Sequence, residues 1–415
     1  MILKTPNKRK IINDPIYGFI NIPYNTIFDL IEHPYFQRLR RIKQLGLTSL
    51  VYPGANHTRF HHALGAMHLM TQAIEVLKSK GITITDEESE GATIAILLHD
   101  MGHGPFSHSL ENNIINGIEH EEISLRFMNE LNNQFKGKLD LAIKIFKNEY
   151  HKKFLHQLVS SQLDVDRLDY LCRDSFYTGV SEGVIGHDRI LKMLYVIDDN
   201  LVIEHKGIYS IENFLNARRL MYWQVYHHKT VLSAEILINN ILKRAKELAS
   251  QSYNLFCTPS FSYFLYNKIE KKQFYEDKNI LENFAYLDDN DIIACIKVWM
   301  KSEDFILSHL CSNLINRNLY KIEFSNTKFE SKDIEGCKKK TFSLYNLEKE
   351  EDINYFIKTD KIVNNAYCTK EGEIKILFKD KLVDFADFSE DISINILSKN
   401  VEKYYFSYPK NCKSV

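Results

Sequence analysis

The chain has 415 residues, 44% of them hydrophobic and 26% charged, enough to bury a core and to form two or three packed domains. A formal net charge of -1 excludes a global pull toward nucleic acid or an anionic membrane, so any polyanion site must be built from locally gathered Arg, Lys and His. Cys172, Cys257, Cys295, Cys311, Cys337, Cys368 and Cys412 are widely spaced, odd in number and include no CxxC pair, which argues against a disulfide framework or a thiolate zinc site.

From the N-terminus, "MILKTPNKRK" lacks the apolar segment of a signal peptide, and no run of about 18 apolar residues occurs, so a soluble cytoplasmic protein is expected. A strand-like stretch, "GFINIP", leads into a half dominated by the helical period. From about Thr26 to Leu248, "NTIFDLIEHPYFQRLRRIKQLG", "HHALGAMHLMTQAIEVLKSKG", "DEESEGATIAILLHDMG", "HKKFLHQLVSSQLDVDRLDYLCRD" and "IENFLNARRLMYWQVYHHKTVLSAEILINNILKRAKELAS" repeat apolar residues at three and four. Gly46, Gly81 and Gly102 stand where helix ends are expected. "NLVIEHKGIYSI" also alternates, and such pieces predict small hairpins at most. After Ser250, "DDNDIIACIKVWMKSEDFILSHLCSNLINRN" is helical; "LYKIEFS", "NAYCTKEGEIKILF" and "VEKYYFSYP" then read as strands broken by turns. The expected fold class is mainly α: a helical core over 1–255, a helical extension over 256–315 and a small α+β region over 316–415.

The stretch "LLHDMGHGPFSH", Leu97 to His108, follows the apolar run "TIAIL" and carries three histidines and an aspartate. Burying imidazole and carboxylate together without a partner costs several kcal/mol, and the usual resolution is an ion pair or a metal. On a helix the adjacent His99 and Asp100 diverge by roughly 100°, so they grip one ion only over the groove between them. Other helices must complete its shell. "HTRFHHALG" offers His61 and His62 at the start of a helix, and "QLDVDRLDYLCRD" supplies a second carboxylate cluster. Two neutral imidazoles with two carboxylates suit Mn, Fe, Zn or Mg and leave positions open for water and substrate. The plainer alternative, a structural His99–Asp100 pair capping a helix, must also account for "RFHH" and "DVDR".

Taken in order, "RFxHxxG", "HDxGHGPFSH" and "DVDRxDY" resemble the HD-domain phosphohydrolases, and within them the deoxynucleoside triphosphate triphosphohydrolases, including a branch with an added sterile-alpha-motif domain. The resemblance runs from about Lys10 to Lys229. It implies an HD-domain catalytic core with His62, His99, Asp100 and Asp166 as ligands of a divalent metal, a dNTP substrate, and a dimer or tetramer of this chain.

Asp166, Tyr170 and Asp174, at i, i+4 and i+8, line one helix face; Arg218, Tyr222 and Tyr226 repeat that spacing, with Lys229 one turn further. By spacing alone such stripes are more often core edges with snorkelling cations than ligand sites. The resemblance implies nucleotide contacts instead. It sets Arg59, Arg167, Tyr170 and Arg218 at the phosphates, Arg167 standing where the sterile-alpha-motif branch has lysine. Gln44 and Asp174 would read the sugar 3′-hydroxyl, Leu45 would pack on the ribose, and Tyr226 would crowd the 2′ position or support the base. A triphosphate beside a carboxylate cluster repels hydroxide, so cations must neutralise it before in-line attack. Arg59, Arg167, Arg218, His103, His108 and His120 supply candidates, and a histidine near pH 7 exchanges protons with nucleophile or leaving oxygen. By resemblance His108 and His120 are catalytic, His103 supports them, and the products are a deoxynucleoside and inorganic triphosphate.

"KRKIINDPIYGFI" and "IEHPYFQRLRRIKQLG" are similar to segments that bind an activating nucleotide between subunits of regulated dNTP hydrolases. Lys10, Ile11, Asn13, Gln37 and Arg40 match, while Glu32 stands where a shorter aspartate reads guanine. "NDPIYG" is equally a good turn, and Gln37 and Arg40 equally a helix cap or ion pair. Two other functions stay open: an HD site acting on a nucleoside monophosphate, cyclic nucleotide or other phosphoester, and a nucleic-acid-binding or regulatory protein with a vestigial site.

Overall fold

The computed structural model describes residues 10–106, 113, 117–364, 372–388 and 401–412. A hairpin of β1 (Ile11–Asp14) and β2 (Gly18–Asn21) precedes α1 (Asn25–Glu32). The helix expected to run on from Thr26 breaks at His33, which is extended because Pro34 follows it. The chain then makes one short helical turn and a 3-10 turn, Arg38–Arg41.

α2 (Arg59–Ser79) packs against α3 (Asp86–Leu98), whose Thr93–Leu97 run is fully buried, as its apolar character requires. α4 (His120–Gln134) follows. "HKKFLHQLVSSQLDVDRLDYLCRD" is not continuous helix: Lys153–Val159 stops, and Asp164 starts α5 (Val165–Thr178) by accepting the Arg167 N–H at 2.7 Å. α5 lies against α2.

The long segment expected as one helix after Ile211 is α6 (Ile208–Met221), a π-helical turn (Tyr222–Tyr226) and α7 (Lys229–Ser250). Wide turns of this kind often mark functional sites. The break removes Lys229 from the stripe of Arg218, Tyr222 and Tyr226; its ammonium lies 5.6 Å from the Phe324 ring centre instead. "GIYSI" likewise begins α6 and is not strand.

β3 (Leu194–Ile197) and β4 (Asn200–Glu204) make the expected hairpin, but it is half of a larger sheet. With β5 (Lys321–Ser325), β6 (Lys358–Asn364), β7 (Lys375–Phe378), β8 (Lys381–Asp384) and β9 (Val401–Tyr408), the orders are β3-β4-β7-β8 and β5-β9-β6. β4 and β7 pair in parallel. α8 (Asp289–Trp299) and α9 (Phe305–Ile315) lie between these regions in sequence, and one apolar cluster includes residues from Ile20 to Cys412. The fold is mainly α with small sheets. Among the described residues no helix is long and apolar enough to cross a membrane, and no described cysteine is in a disulfide; Cys368 lies outside those residues.

Candidate metal centre and nucleotide cleft

α3 ends at Leu98, so His99 and Asp100 occupy the turn beyond it, not the helix expected for them. Ser124 on α4 shapes that turn: its hydroxyl donates to the His99 carbonyl at 2.6 Å and accepts the Gly102 N–H at 2.8 Å. Gly102 is required by contact, since a Cβ there would lie 1.9 Å from the His120 carbonyl oxygen. The fully buried Arg38 donates to the Met101 carbonyl at 2.9 Å and to that of His103. The turn folds the two side chains together, with His99 Nε2 3.3 Å from Asp100 Oδ1.

His62 sits on the first turns of α2 and Asp166 on the first turn of α5. His62, His99 and Asp166 each bring a donor atom within 4.8 Å of the others. His62 Nε2 is 3.0 Å and His99 Nε2 3.4 Å from Asp166 Oδ1. Asp100 adjoins this group, with Oδ2 3.7 Å from His62 Nε2 and 2.5 Å from an Arg59 nitrogen that donates to it.

The hydrogen bonds behind the rings show what the cluster can hold. His62 Nδ1 lies 2.7 Å from Asp169 Oδ2, and His99 Nδ1 2.6 Å from the Ile96 carbonyl oxygen. Both partners only accept, so both Nδ1 atoms carry hydrogen, and in the neutral ring each Nε2 presents a lone pair. Both Nε2 atoms are buried and make no aligned hydrogen bond among the described residues. Two imidazole nitrogens with the Asp166 carboxylate, and Asp100 adjoining them, fit the donor types of a divalent cation. Charge agrees: burial opposes protonation of His62, yet Asp166 and Asp169 push its imidazole up to about 10. Burial likewise opposes ionisation of Asp166, but His62 and His99 hold its carboxyl well below the usual range. The cluster favours positive charge, which a bound divalent cation would supply without protonating the imidazoles.

Beside this cluster, a cleft of about 370 Å³ is lined by Gln44, Leu45, Arg59 and Tyr226 of the expected nucleotide contacts, together with Phe106, Tyr222, His227 and Asn239. Tyr226 donates to Asp174 Oδ2 at 2.7 Å, and its ring meets Tyr170 edge-on at 6.4 Å. Arg218 is buried and donates to Gln162 at 3.1 Å; Arg167 pairs with Asp164. His103 stacks on His120 with ring centres 3.9 Å apart, and His103 Nε2 is 3.4 Å from Asp100 Oδ1. His108 lies outside the described residues.

The expected regulatory residues lie on the β1–β2 hairpin, α1 and the turns after it. Ile11 and Asn13 are exposed on β1, and Glu32 is exposed at the end of α1. Lys10 places its ammonium 4.4 Å from the Phe28 ring centre. Gln37 donates to the Ile31 carbonyl at 2.7 Å, and Arg40 donates to Gln37 at 2.8 Å while lying over the Phe60 ring.

Sequence reasoning passed over four residues of this region. Asp169 orients His62, Ser124 and Arg38 set the turn that carries His99, and His57 lies 2.8 Å from Asp174. Asp169 alone had a signal, its place in "DVDRLDY".

Comparison with known proteins agrees with this geometry. Residues 59–174 match the HD domain, and residues 185–255 match the HD associated region. The chain is 36% identical to the uncharacterized protein YwfO of Bacillus subtilis, over 77% of this chain and 73% of that one. It is 31% identical to the deoxynucleoside triphosphate triphosphohydrolase SAMHD1 homolog of Dictyostelium discoideum, over 90% of this chain and 69% of the relative. A crystal structure of a phosphohydrolase from Bacteroides thetaiotaomicron superposes with a TM-score of 0.93 at 54% identity, over 97% of this chain and all of that one.

Proposed function

The chain belongs to the HD-domain phosphohydrolases, and from that premise we propose that it hydrolyses deoxynucleoside triphosphates to a deoxynucleoside and inorganic triphosphate. One observation carries the reading: Arg59 joins the metal cluster to the cleft, since its guanidinium holds Asp100 and also lines the space shared by Gln44, Leu45 and Tyr226. That space is of the size that takes small-molecule ligands. The name of the Dictyostelium relative supports the same substrate class.

In this reading His62, His99, Asp100 and Asp166 hold a divalent cation, which when bound supplies positive charge at the phosphoryl group and a lowered pKa for water. Arg59, Arg167, Arg218 and Tyr170 bind the phosphates and spread their charge. Gln44 and Asp174 engage the 3′-hydroxyl, Leu45 packs on the sugar, and Tyr226 stands at its 2′ side. His103, His108 and His120 hold and move the proton needed by the leaving 5′-oxygen. The enzyme acts in the cytoplasm as a homo-oligomer, and a second nucleotide bound at Lys10, Ile11, Asn13, Glu32, Gln37 and Arg40 activates it.

The test is to supply each of the four dNTPs, singly and in pairs, with Mn or Mg, and to identify the phosphorus product. Inorganic triphosphate is expected; pyrophosphate or orthophosphate would move the attack to another phosphorus. Turnover of a monophosphate or cyclic nucleotide in place of any dNTP would favour the phosphoester reading. Faster hydrolysis of one dNTP in the presence of another exposes the activator.

A further inference from the structure

Asp174 is 1% exposed, and the protein already engages both of its carboxylate oxygens. Tyr226 donates to Oδ2 at 2.7 Å. His57 Nε2 lies 2.8 Å from Oδ1, and since a carboxylate only accepts, this nitrogen carries the hydrogen. His57 is itself buried, with its ring stacked on Tyr177 at 4.5 Å between centres.

The backbone of His57 also reaches Gln44, which lines the cleft. Its carbonyl accepts the Gln44 N–H at 3.0 Å, and Lys43 and Thr58 form an antiparallel bridge alongside. Gln44 Oε1 is buried with no hydrogen-bond partner among the described residues. One residue therefore ties together two polar groups, one holding a phenol and the other carrying an uncommitted acceptor.

We propose that His57 is a positioning residue that sets sugar specificity: through Asp174 it pins the Tyr226 phenol at the cleft wall, so that a sugar bearing a 2′-hydroxyl is rejected. The inference rests on the deoxynucleotide reading of the cleft. Tyr226 has its hydroxyl hydrogen committed to Asp174 and its ring between Tyr170 and Tyr222, at 6.4 and 5.0 Å. A ring held in this way cannot yield to an extra oxygen, and its phenol has no hydrogen left to offer one. Rejection comes from the fixed wall. Without His57, Asp174 Oδ1 is a buried acceptor with its donor removed, so the carboxylate gains a reason to turn, which frees the phenol. The metal ligands are reached by a separate path through Asp169, so their occupancy does not depend on this pair.

The experiment compares wild type, His57→Ala and His57→Gln in hydrolysis of one dNTP and its ribonucleotide counterpart, with metal content measured alongside. In His57→Ala the ribo-to-deoxy ratio of kcat/KM should rise about tenfold, mainly through a lower KM for the ribonucleotide, at unchanged metal content. His57→Gln keeps a side-chain N–H and should restore most of the discrimination. Parallel loss of both activities, or a glutamine variant no better than alanine, overturns the proposal. Should His57→Ala fail to fold, Tyr226→Phe keeps the ring and cuts its tie to Asp174; unchanged discrimination in that variant is equally fatal. A wild type that turns over ribonucleotides and deoxynucleotides alike refutes the sugar gate while leaving phosphohydrolysis intact, whereas a wild type inactive on both refutes the substrate reading.

Discussion

Gly65 and Asp169 meet where α2 crosses α5: a Cβ at position 65 would lie 1.9 Å from Asp169 Oδ1 and 2.1 Å from the Arg173 guanidinium. The contact is close because a buried ion network lies there. Asp169 takes Arg173 Nε and Nη2, each at 2.9 Å, as well as His62, and Arg173 reaches Asp14 at 2.8 Å. His62, Asp169 and Arg173 are all fully buried. Gly65→Ala must force these groups apart, and we expect a loss of about 3–5 kcal/mol, seen as a lower urea midpoint together with weaker metal binding. A wild-type midpoint would mean that the helices part without cost.

Asp169 and Asp166 should fail in different ways. Asp169→Asn keeps the shape behind His62 but removes the charge that fixes its ring, so metal affinity should fall about 10–100-fold and turnover should recover in excess metal. Asp166→Ala removes a donor facing both Nε2 atoms and should cut turnover by at least about 1,000-fold, with no recovery. Metal titration of both proteins decides it; rescue of Asp166→Ala by excess metal would contradict the ligand assignment.

The histidine–aspartate cluster was legible because its residues stand in short, chemically dense runs, "RFHH", "HD" and "DVDR", which a bland core does not explain. What stayed hidden depends on single residues brought in from afar. His57 in "ANHTR" has no sequence neighbour that announces Asp174, and Ser124 looks like any helical serine until its hydroxyl bridges His99 and Gly102. Helical phase hid Asp169: residues 166, 170 and 174 share a face, while 169 and 173 lie on the next ridge, toward Gly65. The helix breaks at His33 and His228 were missed because the pieces on either side bury apolar residues in the same core, so the period continues across the gap. The parallel β4–β7 pairing joins strands far apart in sequence, which no local alternation records.

Glu88 ties helix start to pH. Its carboxylate accepts the Thr85 N–H, the Lys152 ammonium and the Tyr150 hydroxyl, at 2.8, 2.8 and 2.7 Å. Burial raises its pKa, but Lys152, Thr85 and Tyr150 outweigh that and leave it lowered. A lowered folded-state value means stabilisation fully present above the unfolded glutamate pKa and lost as pH falls through the folded one. Tyr150, pushed up to about 12 by burial and by Glu88, has the opposite sign: its contribution is complete below about 10 and is lost as pH rises through the folded value. Glu88→Gln should cost about 1–3 kcal/mol at pH 7, with the gap to wild type closing below about pH 4. Urea midpoints across pH measure this, and a gap that stays constant from neutral to acid pH would show that charge is not the source.

Arg38 links the segment before α8 to the turn that carries His99 and Asp100. Its guanidinium donates to Leu287 at 3.1 Å, to Met101 at 2.9 Å and to His103, all through backbone carbonyls, and lies 4.7 Å from the Phe284 ring centre. Two of those carbonyls belong to the turn just after Asp100, so the same side chain that anchors the approach to α8 also fixes the ligand turn. Arg38→Met fills the volume but strands three buried acceptors, and should cost about 3–5 kcal/mol. Arg38→Lys has three N–H donors, but they radiate from one nitrogen and do not span carbonyls placed for three separate guanidinium nitrogens, so it should recover only part of that loss. Metal affinity should fall in step with stability across the two variants, since one set of hydrogen bonds supports both. Urea denaturation with parallel metal titration reads the two quantities together; a folded, destabilised Arg38→Lys with wild-type metal affinity would show that the turn holds its shape without this residue.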